Sequence, residues 1–411
     1  TGKSTMLKQA ITLTQTHNSD AQFQGLAPTH AAVNELKDKG VPAQTIQSFL
    51  QAMRTQESAP EQYQGTVFLV DESSMLSNRQ MDALTDTLSQ IGARAVLLGD
   101  KAQLQSQEAG KPFELGIRQQ ALTVTTAKNI VRQNQNSIKT AVEHIIDHET
   151  ASAVASLERQ SEPNLKPEDS QHELTPAVIS TYEKTHQDEK VNQEQARQKI
   201  YTTAAEEYLS RTEYARENTL MIVYSNQERD QVTELIREGL QKEGSLDTQN
   251  VPVSRLKSLG LTREQMTLTH SYKKDDIFTS KNGDYHRITS VDHRHKLVTL
   301  ANIHTGEVST LFPAKAHHQY TGLWHESAPP LALNDKIMWR KSEPDRQLMG
   351  NEPLTVTGLE GGTLTVKSEH TGKTHQLDMS DMKNSHWDYR YTRTADMAQG
   401  VTYLYVISLI R

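Results

Sequence analysis

Cysteine is absent from the 411 residues, so the chain can hold neither a disulfide nor a thiolate metal site, and a cytoplasmic protein is the expectation. No apolar run is long enough to cross a bilayer and no signal peptide opens the chain, so no membrane segment is expected. Aromatic residues are scarce, at 5%, and Gln and Thr are plentiful, which fits a large polar surface. Positive charge is not in excess either, the net charge being −7. A nucleic-acid partner must therefore be met by local basic and aromatic patches, because affinity follows local phosphate neutralisation. The length exceeds what a single core supports, and about two to three domains are expected.

What the chain does have is Thr66–Met75, TVFLVDESSM, an apolar run ending in two adjacent carboxylates. The run is too short for a buried helix and rich in β-branched and aromatic residues, so it predicts a core strand of a parallel sheet. Ligands of open α/β sheets sit beyond the carboxyl ends of the strands, which puts Asp71 and Glu72 at a mouth. A Mg²⁺ held by the first and a water activated by the second would account for both. An acidic helix N-terminus would show the same pair.

Upstream, Thr1-Gly2-Lys3-Ser4-Thr5 runs into a helical spacing at Met6, Leu7, Ala10, Ile11 and Leu13. This is the second half of a phosphate-binding loop, whose first Gly and preceding strand are missing, so a fragment cut at its N-terminus is expected. Phe23–Ala27 predicts a strand, Thr29 and His30 a loop that either touches phosphates or caps a helix, and Val33–Lys39 a helix stopped at Gly40. Gln44–Phe49 predicts a short helix, Asn78–Ile91 a longer one, and Ala93–Leu98 a second buried strand. That strand ends in Gly99-Asp100-Lys101-Ala102-Gln103, a polar cluster expected beside Asp71, with a Gln able to sense a γ-phosphate. Arg132, at a domain edge, is either solvated or able to reach a phosphoryl group.

From Ser137 to about Asn218 the chain is helical and polar, with a loop-like stretch at Gln160–Asp188. Thr219–Tyr224 predicts a buried strand and Glu228–Leu240 its helix, opening a second α/β unit. Thr267–Met382 changes to short alternating runs separated by turn signals such as Asn282-Gly283 and Gly361-Gly362, the pattern of a small antiparallel β unit. Its basic and aromatic surface candidates are Tyr272, Lys273, Lys274, Trp339, Arg340 and Lys341. His293, His295, His317 and His318 lack carboxylates at matching spacing, which disfavours a metal site. Thr394–Thr402 predicts a polar loop with a tight Gly turn, feeding a buried strand at Tyr403–Ile410 whose continuation is missing.

Taken together, TGKST, VDESSM, GDKAQLQS and AQGVT resemble motifs I, II, III and V of superfamily 1 DNA helicases of the RecD-like branch. IVRQN looks like the arginine-bearing motif IV, and APTHAAVNEL is similar to motif Ia. The longer phrases GVPAQTIQSFL, FLVDESSML and NDKIMWRKSEPDRQLMGNEPLTV resemble the helicase portion of the TraI-like conjugative relaxase/helicases. The resemblance implies an α/β fold of two RecA-like P-loop NTPase domains with an inserted small SH3-like β subdomain. The implied boundaries are 1–136 for the first motor domain, 137–218 for a helical linker region, 219–266 and 386–411 for the second motor domain, and 267–385 for the insert.

It implies ATP and Mg²⁺ as cofactors, single-stranded DNA as partner, and a relaxase domain in the same full-length protein. The implied activity is ATP-driven 5′ to 3′ movement along single-stranded DNA during plasmid conjugative transfer. The rival is a helicase-like module that holds single-stranded DNA without hydrolysis. By the resemblance, Gly2, Lys3, Ser4 and Thr5 hold the phosphates, with Ser4 and Asp71 on Mg²⁺ and Glu72 activating water. Gln103 senses the γ-phosphate and Arg132 is the arginine finger. Gln399 and Gly400 couple the nucleotide to the strand, while Thr29, His30 and Thr394 contact DNA. Asp396 departs from the pattern, standing where the family usually has His.

Overall fold

The computed structural model describes residues 3–55, 60–100, 109–126, 136–156, 191–315, 320–398 and 403–409. The chain forms two compact units: Thr1–Ile222 with Thr394–Leu409, and a second built around Val223–Arg393.

In the first unit, helix α1 (Lys3–His17) precedes β1 (Phe23–Ala27), α2 (His30–Lys37), β2 (Ala43–Thr45), α3 (Ile46–Thr55), β3 (Val67–Val70), α4 (Asn78–Gln90) and β4 (Arg94–Leu97). The four strands form one sheet in the order β2-β1-β3-β4, every pair parallel. Strand alternation sorts the side chains into two layers. Phe68 and Val70 of β3 join Leu26, Ile46, Phe49, Leu84 and Leu88 on one face. Leu69 and Ala27 join Leu7, Val33 and Leu36 on the other. Helices α1 and α2 therefore cover one side and α3 and α4 the opposite one, and the α/β class expected from the sequence is what the fold shows.

Two sequence expectations change in detail here. Gln44 and Thr45 belong to β2, not to a helix, because Gly25 lets the strands close: a methyl group there would lie 2.8 Å from Ala43 Cβ. Thr45 then caps α3 by accepting the Ser48 N–H at 3.1 Å. Strand β4, expected to be buried, is an edge strand among the described residues, and its Val96 is 44% exposed. Past it come α5 (Pro112–Arg118), α6 (Asn136–Ile146), α7 (Thr150–Ser156), α8 (Val191–Leu209), α9 (Glu213–Glu217) and β5 (Thr219–Val223).

The second unit starts with α10 (Asn226–Lys242), held by a capping box in which Ser225 and Glu228 exchange hydrogen bonds. Antiparallel strands follow: β6 (Val251–Pro252), β7 (Arg255–Ser258), β8 (Ile277–Ser280), β9 (Tyr285–Asp292), β10 (Leu297–Asn302), β11 (Val308–Leu311), β12 (Tyr320–Ser327), β13 (Pro330–Leu331), β14 (Lys336–Trp339), β15 (Glu352–Glu360), β16 (Thr363–Ser368), β17 (Thr374–Asp378) and β18 (Trp387–Tyr389). They build a six-stranded sheet, β11-β10-β9-β8-β12-β7, and a five-stranded one, β17-β16-β15-β14-β18. Trp339 faces Trp387 across the second sheet, and both are buried with Leu354, Val356, Leu364 and Val366. Burial of Trp339 and Tyr272 removes them from the surface as stacking platforms.

Asp335, fully buried, ties α10 to this sheet. Its carboxylate accepts Nε and a terminal amino group of Arg237 at 2.9 Å each, the Ala332 N–H at 2.8 Å and the Tyr391 hydroxyl at 3.0 Å. Burial works to lower the Arg237 pKa, but the hydrogen bond and charge of Asp335 outweigh it and leave the guanidinium raised. A second buried joint links the two sheets: the Tyr285 hydroxyl lies 2.7 Å from His386 Nε2 and accepts the Lys341 ammonium at 3.0 Å. The other ring nitrogen, Nδ1, is buried and makes no hydrogen bond among the described residues. Burial, then the Lys341 charge, pushes His386 down to about 3.

The chain returns to the first unit through β19 (Arg393–Thr394) and β20 (Tyr405–Ser408), which flank β5. The buried strand expected at Tyr403–Ile410 is instead a short strand pairing parallel to β5, at the sheet edge among the described residues, with Val406 55% exposed.

Two outcomes follow from the buried groups of the second unit. Asp335→Ala leaves Arg237 buried without its carboxylate and should cost about 3–5 kcal/mol in denaturant unfolding. His386 binds its proton more readily unfolded than folded, so it makes stability rise with pH between about 3 and 6.5, by up to about 1.4 kcal/mol per unit. His386→Gln should flatten that slope relative to the parent when unfolding midpoints are compared from pH 4 to 7.

Candidate functional site

The parallel ladder decides where the carboxylates go. Asp71 N–H donates to Leu26 O at 2.8 Å, extending the ladder one residue past β3, and Leu98 N–H donates to Val70 O at 2.8 Å from the other side. The chain then leaves the sheet at Glu72, whose φ of 49° and ψ of 39° are left-handed. A non-glycine residue adopts this conformation only when its surroundings impose it, at roughly 1–3 kcal/mol. Here Asp71 Oδ1 accepts the Glu72 N–H at 2.9 Å, Ser73 Oγ donates to Val70 O at 2.7 Å, and Ser73 N–H donates to Leu98 O at 2.8 Å. Asp71 is buried and Glu72 half-buried, both at the carboxyl edge of the sheet.

Gly99 lets β4 end beside this turn. A methyl group there would lie 3.0 Å from Ser74 N and 3.0 Å from the Phe113 ring of α5. Gly99 and Asp100 thus stand next to Asp71–Ser74, where the sequence pattern put them. Further along, Asn78 N–H donates to Ala109 O at 3.2 Å, and Gly110, with φ of 106°, passes so close to Asn78 that a side chain would collide with it. Ser73, Ser74, Phe113 and Asn78 were not singled out from the sequence. Their one visible signal is the Gly after a strand, since their contacts depend on which strand lies beside which.

Thr29 and His30 follow β1, so the parallel order puts them on the same edge as Asp71. Thr29 is the N-cap of α2, its hydroxyl accepting the Ala32 N–H at 3.3 Å, and of the two readings open to it the capping one is realised. His30 is half-buried, and burial, then Lys37, lowers its pKa. Thr394 ends β19, beside β5, and a short helix over Ala395–Ala398 follows where a polar loop was expected. Lys3, Ser4 and Thr5 belong to the first turn of α1, and the structure describes their backbone only. Gly2, Gln103, Arg132, Gln399 and Gly400 lie outside the described residues, as do His317 and His318. Among the described residues no group of three His, Asp or Glu side chains could hold a metal ion; His295 pairs instead with Asp292 at 2.7 Å.

Residues 1–163 match the family model described as an AAA domain. The multifunctional conjugation protein TraI of Escherichia coli is 28% identical over 398 residues, which are 94% of this chain and 22% of that protein. The similarity to TraI runs along nearly the whole length of this chain. The chain spans about a fifth of the TraI proteins it matches. The probable conjugal transfer protein TraA of Sinorhizobium fredii is 35% identical over 112 residues, 27% of this chain and 10% of that one. In shape, a Pif1 helicase from Bacteroides, in complex with ADP-AlF3 and ssDNA, superposes with a TM-score of 0.48 at 12% identity, covering 100% of this chain and 80% of that one. The TraI-like sequence thus includes the parallel sheet and its acidic edge, and runs on through the antiparallel strands of the second unit.

Because the contact at Gly99 is with backbone as well as with a ring, it has little room to relax. Gly99→Ala should lower stability by about 1–3 kcal/mol, read as a lower denaturant midpoint by far-ultraviolet circular dichroism.

Proposed function

We propose that this chain is the motor module of a conjugative DNA helicase, hydrolysing ATP to move 5′ to 3′ along single-stranded DNA. The observation that carries the reading is the acidic edge itself: a buried carboxylate and a second one held in a left-handed turn at the carboxyl end of a parallel strand, inside a TraI-like sequence. Strain kept at such a place points to a reaction and not to packing alone. Asp71 and the hydroxyl of Ser4 would hold Mg²⁺, an oxygen-only pair that suits it, and the ion would neutralise charge developing on the phosphates.

In this reading Lys3, at the start of α1, faces the phosphates together with the helix N-terminus and Gly2. Asp71, fixed by the Glu72 N–H, would hold the metal through water. Glu72 takes the proton of the attacking water, Gln103 positions that water against the γ-phosphate, and Arg132 stabilises charge on the transferred group. Gln399 and Gly400 pass the nucleotide state to a strand held by Thr29, His30 and Thr394; capping α2 uses only a lone pair of the Thr29 hydroxyl, whose proton is still there to donate to a phosphate oxygen. The two α/β portions are the RecA-like motor domains, and the antiparallel strands of the second unit include the SH3-like insert. The full-length protein carries a relaxase domain and works in the cytoplasm. Among the described residues no helix is long and apolar enough to cross a membrane.

Glu72→Gln keeps the size of the side chain and removes the base. ATP binding should stay within about twofold of the parent while single-stranded-DNA-stimulated turnover drops by about 10²-fold or more. A parent protein that binds single-stranded DNA but shows no stimulated ATPase would favour the non-hydrolysing strand holder instead.

A further inference from the structure

The second unit gathers guanidinium groups around a single carboxylate. Asp388 of β18 accepts Arg229 of α10 at 2.8 Å on one oxygen and Arg255 of β7 at 3.0 Å on the other, so both of its oxygens are taken. Arg229 also reaches Asp230 at 3.1 Å, which Lys257 approaches at 3.4 Å. Thr392, next to Arg393, donates its hydroxyl to Arg229 O at 3.1 Å and brings that strand against the same helix turn.

Arg340 stands over this cluster. Met338 pairs directly with Asp388, and Arg340 N–H donates to His386 O at 2.8 Å, so strand alternation puts the Arg340 side chain on the face that carries Asp388. Whereas Arg229, Arg255 and Arg393 are buried, Arg340 is exposed. One of its amino groups donates to Asn351 Oδ1 at 2.6 Å and approaches Met338 Sδ at 3.7 Å. Among the described residues it forms no ion pair, and its Nε and second amino group make no hydrogen bond. Although the side chain reaches water, the protein around its guanidinium lowers its pKa through desolvation, Asp388 opposes the shift, and Arg229 and Arg393 add to it. The residue is a planar fork, steered by an amide, with two donors left over and like charge beneath it. An anion with paired oxygens is the ligand such a fork fits.

We infer that Arg340, oriented by Asn351 and backed by the Arg229–Asp388–Arg255 cluster, is a binding site for a backbone phosphate of single-stranded nucleic acid. The inference rests on the proposed DNA reading and adds to it a contact in the second unit. A nucleotide phosphate has the same chemistry, and the two arms of the test separate these sources.

The test measures binding of a fluorescent oligothymidine by the full chain across a salt series, with ATP binding followed by calorimetry in parallel. Arg340→Gln should weaken oligonucleotide binding at least about fivefold at low salt and reduce the slope of log Kd against log salt by about 0.7, the share of one phosphate on a single strand. ATP affinity should not move. Arg340→Lys should keep the slope and lose part of the affinity. Asn351→Gly retains the left-handed backbone, φ of 68°, and removes only the steering amide, so it should weaken binding less than Arg340→Gln does. An unchanged slope in Arg340→Gln, with the parent binding normally, overturns the inference and leaves the DNA reading standing. Loss of ATP binding with intact oligonucleotide binding overturns it in favour of a nucleotide phosphate, and a parent that binds no oligonucleotide removes both readings.

Discussion

Parallel hydrogen bonding between β1, β3 and β4 is the constraint from which the first unit's chemistry derives. Parallel strands all end on the same edge, so every loop that leaves a carboxyl end meets the others there. Register does the rest: Leu26 pairs with Val70 and Val70 with Leu97, so the residues that follow arrive level with one another. Asp71, Glu72, Gly99 and Thr29 are brought to one edge without any direct interaction between most of them. The turn at Glu72 is then held by its neighbours' backbone, through Leu98 and Val70, which ties the orientation of a carboxylate to the integrity of the sheet.

The second unit solves a different problem. Its strands are short and its sheets antiparallel, so burial alone would leave α10 free to slide over them. Directional bonds to buried charge prevent this: Arg237 forks onto Asp335, and Thr233 meets Thr392 at 2.8 Å. Such groups are costly to desolvate and tolerate few alternative arrangements, so they specify one docking of helix on sheet more than they add net stability.

Much of this was legible in the chain because the informative signals are local. Phe23–Ala27, Val67–Val70 and Asn78–Gln90 follow from hydrophobic period and bounding turn residues, and Asp71-Glu72 and Gly99-Asp100 announce themselves by ending apolar runs. What failed depends on neighbours. Ala43–Thr45 is a strand because Gly25 admits it, and a helical spacing in Gln44–Phe49 cannot show that. The apolar residues of β4 and β20 imply burial, yet among the described strands both lie at sheet edges, a matter of strand order that no window of sequence contains. Arg340 and Lys341 look alike in the chain; alternation turns one toward Asp388 and water and the other toward Tyr285.

The distribution of tryptophan has a practical consequence for anyone who follows this protein in solution. All three indoles, Trp324, Trp339 and Trp387, belong to the second unit, and two of them face each other in its interior. The first unit, with the acidic edge, has none. Intrinsic emission excited at the red end of the indole band is therefore a reporter of one half of the molecule, silent when the parallel sheet melts and bright with information when the antiparallel sheets do. Set against a backbone signal, which sees both, it separates the two melting events without a label.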